Sequence, residues 1–157
     1  YRLAARYLGD AAEAEDVAQE AMLRLWRAAP GWQADGPAQP ATWLYRVVMN
    51  LCTDRRRRAR PLAALEAVPE PADPAPTAEA RLHQQARAKA LEAALATLPP
   101  RQRQAVILRH LEGLSNPEIA AVMEIGVEAV ESLTARGKRA LAAHLRPQQE
   151  ALGHDTR

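Results

Sequence analysis

The chain has 157 residues, 48% hydrophobic and 25% charged, enough to bury one core or two small ones. Its single cysteine, Cys52, excludes an internal disulfide framework and a multi-cysteine zinc site, and no apolar run reaches the ~20 residues that span a bilayer. A net charge of only +2 argues weakly against a polyanionic partner, but the charge is segregated: residues 1–60 carry +3, residues 61–80 carry −4 and residues 81–157 carry +3. Two basic modules therefore flank an acidic strip.

With no Phe, 4% aromatics and abundant Ala, Leu, Arg, Glu and Gln, the composition favours helix throughout, and the fold class expected is all-α. Helical patterns run from Arg2 to Leu8, ending at Gly9; from about Ala12 to Ala29, ending at Pro30; and from about Ala41 to Arg58, ending before Pro61. In the second, Asp16, Gln19 or Glu20, Leu23 and Arg27 share a face, while Val17, Ala21, Leu25 and Trp26 lie toward another. In the third, Trp43, Leu44, Val47, Val48 and Leu51 recur at helical spacing and face a core, leaving Arg46, Asn50, Asp54 and Arg57 on a free face. The loop between these two helices holds Gly31, Gly36, Pro37 and Pro40. Cys52 reads as a small buried apolar residue.

Residues 61–80 form the linker: Pro61, Pro69, Pro71, Pro74 and Pro76 fall here, a composition expected to be extended. Beyond it an Ala-rich helix from Leu82 to Leu98 stops at Pro99-Pro100, and another from Arg101 to Glu112 stops at Gly113. Ser115-Asn116-Pro117-Glu118 is a capping box with Pro in the first turn, so a helix starts there. It carries Ile119, Ala120 and Met123, turns at Glu124-Ile125-Gly126, and a longer helix resumes from Val127 to about Leu145, with Val130, Leu133, Leu141 and Leu145 as packing positions. This is a helix-turn-helix pattern.

Two stretches in this order resemble a known family, the extracytoplasmic-function sigma factors. The first is Tyr7 to Asp10, Ala14 to Glu20 and Leu25 to Arg27, completed by Thr42 to Arg46 and Asn50 to Arg58. The second is Leu98 to Arg103, Leu114 to Ala120 and the helix from Val127. The resemblance implies two small helical domains, 1–60 (region 2-like) and 81–157 (region 4-like), joined by the linker, in a promoter-specificity subunit that binds core RNA polymerase and promoter DNA under an anti-sigma factor. It also implies no catalysis, cofactor, small-molecule substrate or membrane insertion, and a cytoplasmic location. A chain that opens at Tyr1, inside a helical pattern and without methionine, is expected to lack an N-terminal piece.

By the same resemblance, Asp16, Gln19, Glu20, Leu23 and Arg27 would dock on polymerase. The third helix and its preceding loop would read the minus-10 element. Cations there are needed for the phosphates of unpaired DNA: Arg46, Arg55, Arg56, Arg57, Arg58 and Arg60 supply them, with Asn50 as a polar reader and Asp35 and Gln39 as the polar loop residues. Trp43 belongs more to the core than to a base wedge. The helix from Val127 would enter the minus-35 major groove, with Glu131, Ser132, Ala135 and Arg136 at base edges and Lys138 and Arg139 near phosphates. Many members carry a basic residue where Glu131 stands and arginine where Leu133 stands. The linker in relatives threads toward the polymerase active centre; a solvated tether is the alternative.

Two other readings use parts of the pattern. An independent helix-turn-helix regulator would need neither the Asp16 to Arg27 face nor the acidic linker. A sigma mimic that sequesters an anti-sigma factor has no use for the Arg55 to Arg58 run. An enzyme reading finds little: His83, His110, His144 and His154 have no metal-ligand spacing, and no phosphate-cradling glycine loop or nucleophile motif is present.

Overall fold

The computed structural model describes residues 1–36, 39–58 and 77–153, the side chains of residues 148–153 excepted. Residues 61–76 of the expected extended linker, Arg60 and Pro37 lie outside the described residues, and every regular element among the described ones is helical.

Helix α1 (Arg2–Leu8) closes on Gly9, whose φ of 66° is the left-handed conformation that suits glycine. Helix α2 (Ala11–Ala28) begins one residue earlier than its apolar pattern, because the Asp10 side chain accepts the Glu13 N–H at 3.0 Å and caps it. A 3-10 turn, Ala29–Gly31, carries Pro30, and α3 (Pro40–Arg58) follows. Ala14, Val17 and Ala21, spaced by one turn, are buried and small, so α2 approaches closely to α1 and α3. Val48, Met49 and Cys52 supply the α3 side of that core.

Helix α4 (Ala78–Thr97) is capped by the Thr77 hydroxyl and starts four residues before Leu82, inside the stretch assigned to the linker. Its early turns hold no apolar stripe, which is why periodicity missed them: residues 77–89 are exposed, and Ala94 and Leu95 are the buried positions. Helix α5 (Pro100–Val106) runs into a π-helical stretch, Ile107–Leu111, where the Glu112 N–H bonds the carbonyl of Ile107, five residues back, at 3.0 Å. Gly113 (φ 74°) ends it.

The capping box forms as the sequence predicts. The Ser115 hydroxyl accepts the Glu118 N–H at 3.3 Å, the Glu118 carboxylate accepts the Ser115 N–H at 2.7 Å, and α6 (Asn116–Met123) follows. The glycine-containing turn differs from the usual pattern. Glu124, not Gly126, takes the left-handed conformation (φ 57°), while the Gly126 carbonyl accepts the Val130 N–H at 3.1 Å and so opens α7 (Val127–Gly153).

The two halves pack against each other. Helix α1 touches α4 and the π-helical stretch, and α3 lies on α6. Tyr7 and Val17 of the first half join Leu95, Ile107, Leu108, Ile119 and Val130 of the second in one continuous buried cluster. Burying a large apolar side chain contributes about 1.5–3 kcal/mol, so this shared cluster is a principal source of cohesion between the halves.

Candidate functional site

Helices α2 and α3 bound a groove of about 360 Å³ lined by Asp16, Gln19, Glu20, Leu23 and Arg24 on one side and Leu51, Asp54, Arg55 and Arg58 on the other. Residues assigned from sequence to polymerase and to DNA therefore share one cleft. Arg55 is the link: it bonds the Glu13 carboxylate and lies 3.8 Å from Asp16. The hydrogen bond to Glu13, opposed in part by burial, holds the guanidinium still more firmly protonated than usual. Glu20 is paired with Arg24 at 2.9 Å, one turn along α2. Asp16, Gln19, Leu23 and Arg27 are exposed.

Trp26, which spacing groups with Val17, Ala21 and Leu25, is 80% exposed. Val17 and Ala21 already fill the inward face, which turns Trp26 out beside Met22 and Leu23, also exposed at 56% and 51%. Three large apolar side chains on one open helix surface form a patch of the kind that marks a docking site.

On α3, Asn50, Arg57 and Arg58 are exposed, Arg56 is half-buried, and Asp35 and Gln39 are exposed at the two described edges of the preceding loop. Trp43 is half-buried and meets Trp32 edge-to-face, centroids 5.7 Å apart. Arg46 departs from the expected free face. It donates to the Ala121 carbonyl at 2.7 Å and lies 3.2 Å from the Glu124 carboxylate, so the second half occupies it. Two turns further on, Thr53 receives a bond from the Gln104 amide at 2.7 Å.

Along α7, Val130 is buried and Leu133 and Leu141 pack on the core, as expected. Glu131, Ser132, Ala135, Arg136, Lys138 and Arg139 are all exposed. Among the described residues Glu131 has no ion-pair partner, Arg136 included. Lys138 also borders a small apolar hollow with Leu91, Leu95 and His110. Partial burial, then Lys138 and Arg109, lower the His110 pKa. Gly137, which sequence reading passed over, sits where α7 crosses α5: a Cβ there would lie 2.5 Å from Val106 Cγ2 and 3.3 Å from the Gln102 carbonyl. A glycine amid strong helix formers was the available signal.

Residues 1–61 match the family model described as Sigma-70 region 2, and residues 88–141 match Sigma-70, region 4. The chain is 39% identical over 150 residues to the ECF RNA polymerase sigma factor SigE of Mycolicibacterium smegmatis, covering 92% of this chain and 56% of that protein. It is 36% identical over 144 residues to the ECF RNA polymerase sigma factor SigM of Mycobacterium tuberculosis, covering 90% of this chain and 69% of that one. It thus spans little more than half the length of SigE. Among solved structures, CnrH in complex with the cytosolic domain of CnrY superposes with a TM-score of 0.66 at 29% identity, over 92% of this chain and 79% of that chain. No helix among the described residues is long and apolar enough to cross a membrane.

Proposed function

Since the chain belongs to the extracytoplasmic-function sigma factors of the sigma-70 family, we propose that it is a promoter-specificity subunit: it binds core RNA polymerase, places it on promoter DNA and leaves the chemistry to the polymerase. The exposed surface of α2, with Asp16, Gln19, Leu23, Trp26 and Arg27, is the polymerase-docking face. Helix α3 and its preceding loop hold the minus-10 strand through Asn50, Arg56, Arg57 and Arg58, with Asp35 and Gln39 at the base pocket. Arg55 serves mainly to brace α2 against α3, and Arg46 becomes available only when it leaves α6. Helix α7 reads the minus-35 element. The modules divide at the linker, near residues 61 to 77.

The observation that carries this reading is the helix-turn-helix with all six candidate contacts of α7 exposed, on the same chain as the arginine-bearing end of α3. An independent regulator does not account for the second feature. CnrH is solved with the cytosolic domain of CnrY, and control by a bound anti-sigma factor is part of the proposal. With polymerase as its partner, the protein works in the cytoplasm.

Glu131 gives the reading its specificity. A carboxylate repels phosphate and is tolerated in the major groove where it meets a donor, and cytosine N4 is the donor it suits. Reconstitution with core polymerase followed by selection from a randomised promoter library tests the whole proposal. Co-elution with polymerase and selection of a two-part element are expected, and Glu131→Ala should relax one minus-35 base pair by roughly 1–3 kcal/mol. A sigma mimic would neither co-elute nor select.

A further inference from the structure

The hollow beside Lys138 lies where α4, the end of α5 and α7 meet, and its volume is about 140 Å³. An apolar cavity of ~150 Å³ holds one benzene ring, so the space suits a single ring or a short branched chain. Leu91 and Leu95 of α4 line one side and Leu141 of α7 another. The π-helical stretch shapes the third. Its turn is closed by the bond from the Glu112 N–H to the Ile107 carbonyl, which brings His110 and Leu111, four and five residues on, round to the side of Val106.

The polar side chains on this lining, Lys138 and His110, are both basic, and both are exposed. Arg109, next to His110, donates to the Leu114 carbonyl at 3.0 Å. Among the described residues none of the three has an ion-pair partner. With its pKa lowered by burial, then by Lys138 and Arg109, the His110 ring is largely uncharged at neutral pH and can donate one N–H. Such a rim repels a cation, and a bare hydrated anion gains nothing from the aliphatic floor. A ligand that is apolar at one end and anionic at the other satisfies both.

We infer that the hollow binds a small monocarboxylic acid, with its ring or branched chain on Leu91, Leu95 and Leu141 and its carboxylate on the Lys138 ammonium and the His110 N–H. Hydrogen bonds to a charged partner are the stronger kind, so Lys138 contributes most of the preference for an acid over a neutral analogue. Lys138 is also the residue placed near the minus-35 phosphates. An acid that engages its ammonium therefore competes with DNA for one cation. That competition rests on the sigma-factor reading; the site itself does not.

The test uses the full chain, with benzoate as the probe and benzamide as its neutral analogue of the same size. Leucine methyl NMR spectra follow the titration in the wild type and in Lys138→Gln, a surface change that keeps a good helix former. Benzoate should shift the methyls of Leu91, Leu95 and Leu141 saturably, with half-saturation near about 1 mM, as befits so small a ligand. Benzamide, and benzoate on Lys138→Gln, should each bind at least about fivefold more weakly. Equal responses to acid and amide, or unchanged benzoate affinity in Lys138→Gln, overturn the site. So do methyls that ignore both compounds and respond to core polymerase, which would make the hollow a seat for a polymerase side chain. Saturating benzoate should also lower wild-type affinity for a minus-35 duplex about two- to fivefold and leave that of Lys138→Gln unchanged. Benzoate bound without that loss overturns the competition. If the chain selects no minus-35 duplex at all, the sigma reading fails while the methyl shifts still decide the site.

Discussion

The Arg103 guanidinium lies over the ring of Tyr7, 4.4 Å from its centroid, and donates a hydrogen bond to the carbonyl of the same residue. Tyr7 lies in the last turn of α1 and Arg103 midway along α5, so one side chain joins the two halves through a ring face and a helix end at once. Arg103 is 4% exposed. Burial, with Arg56 nearby, pushes its pKa down to about 10, which still leaves it charged at neutral pH.

Arg103→Ala should therefore lose about 2–4 kcal/mol of unfolding free energy, because it leaves both a cavity and a desolvated Tyr7 carbonyl. Arg103→Met, which keeps the packing of the stem, should lose less. Urea unfolding of the two variants measures the difference, and equal losses would mean that the packing of the stem contributes nothing.

Gly137→Ala should destabilise the protein although alanine favours helix by about 1 kcal/mol over glycine. The new methyl meets Val106 and the Gln102 carbonyl where α7 crosses α5, and overpacking costs about 1–3 kcal/mol. Pairing it with Val106→Ala should recover part of the loss; thermal melts of the single and double variants check this.

At the start of α6, Ser115→Ala should lose about 1 kcal/mol. The Ser115 N–H, then its hydroxyl, hold the Glu118 carboxyl below its ordinary pKa. A depressed carboxyl pKa gives stability that is present above the unfolded value near ~4.3 and is lost as pH falls through the folded value. Glu118→Gln should flatten that acid limb, read from denaturant midpoints between about pH 5 and pH 3.

Trp26→Ala should weaken binding to core polymerase at least tenfold, as expected of an aromatic anchor. An 80% exposed side chain contributes little to the fold, so stability should change by only about ±0.5 kcal/mol. Asp16→Arg is a less clean probe, since Asp16 also faces Arg55. Fluorescence anisotropy against core polymerase separates binding from folding, and unaltered affinity would remove Trp26 from the docking face.

Local signals were legible in the sequence where chemistry is local. Gly9 ended α1, the Ser115 and Glu118 pair opened α6, and the period of Val130, Leu133 and Leu141 marked the inner face of α7. What was not legible depends on who sits opposite. Spacing placed Arg46 on a face of α3 but gave no sign that α6 would cover it, and a rule for glycine turns pointed away from Glu124. The exposure of Trp26 was not legible because hydrophobicity alone does not tell a buried position from an exposed one. The π-helical stretch at Ile107–Leu111 follows from tertiary fit, which no residue pattern there announces.

The most direct test of the central claim is run-off transcription with purified core RNA polymerase, this chain and a pool of promoter fragments. Specific transcripts that require the chain and arise from templates sharing a two-part upstream element are expected, and they should be lost when Asn50, Arg57 and Arg58 are replaced together by alanine. Polymerase that initiates no more specifically with the chain than without it, while the chain alone binds duplex DNA, would contradict the account and favour an independent DNA-binding regulator.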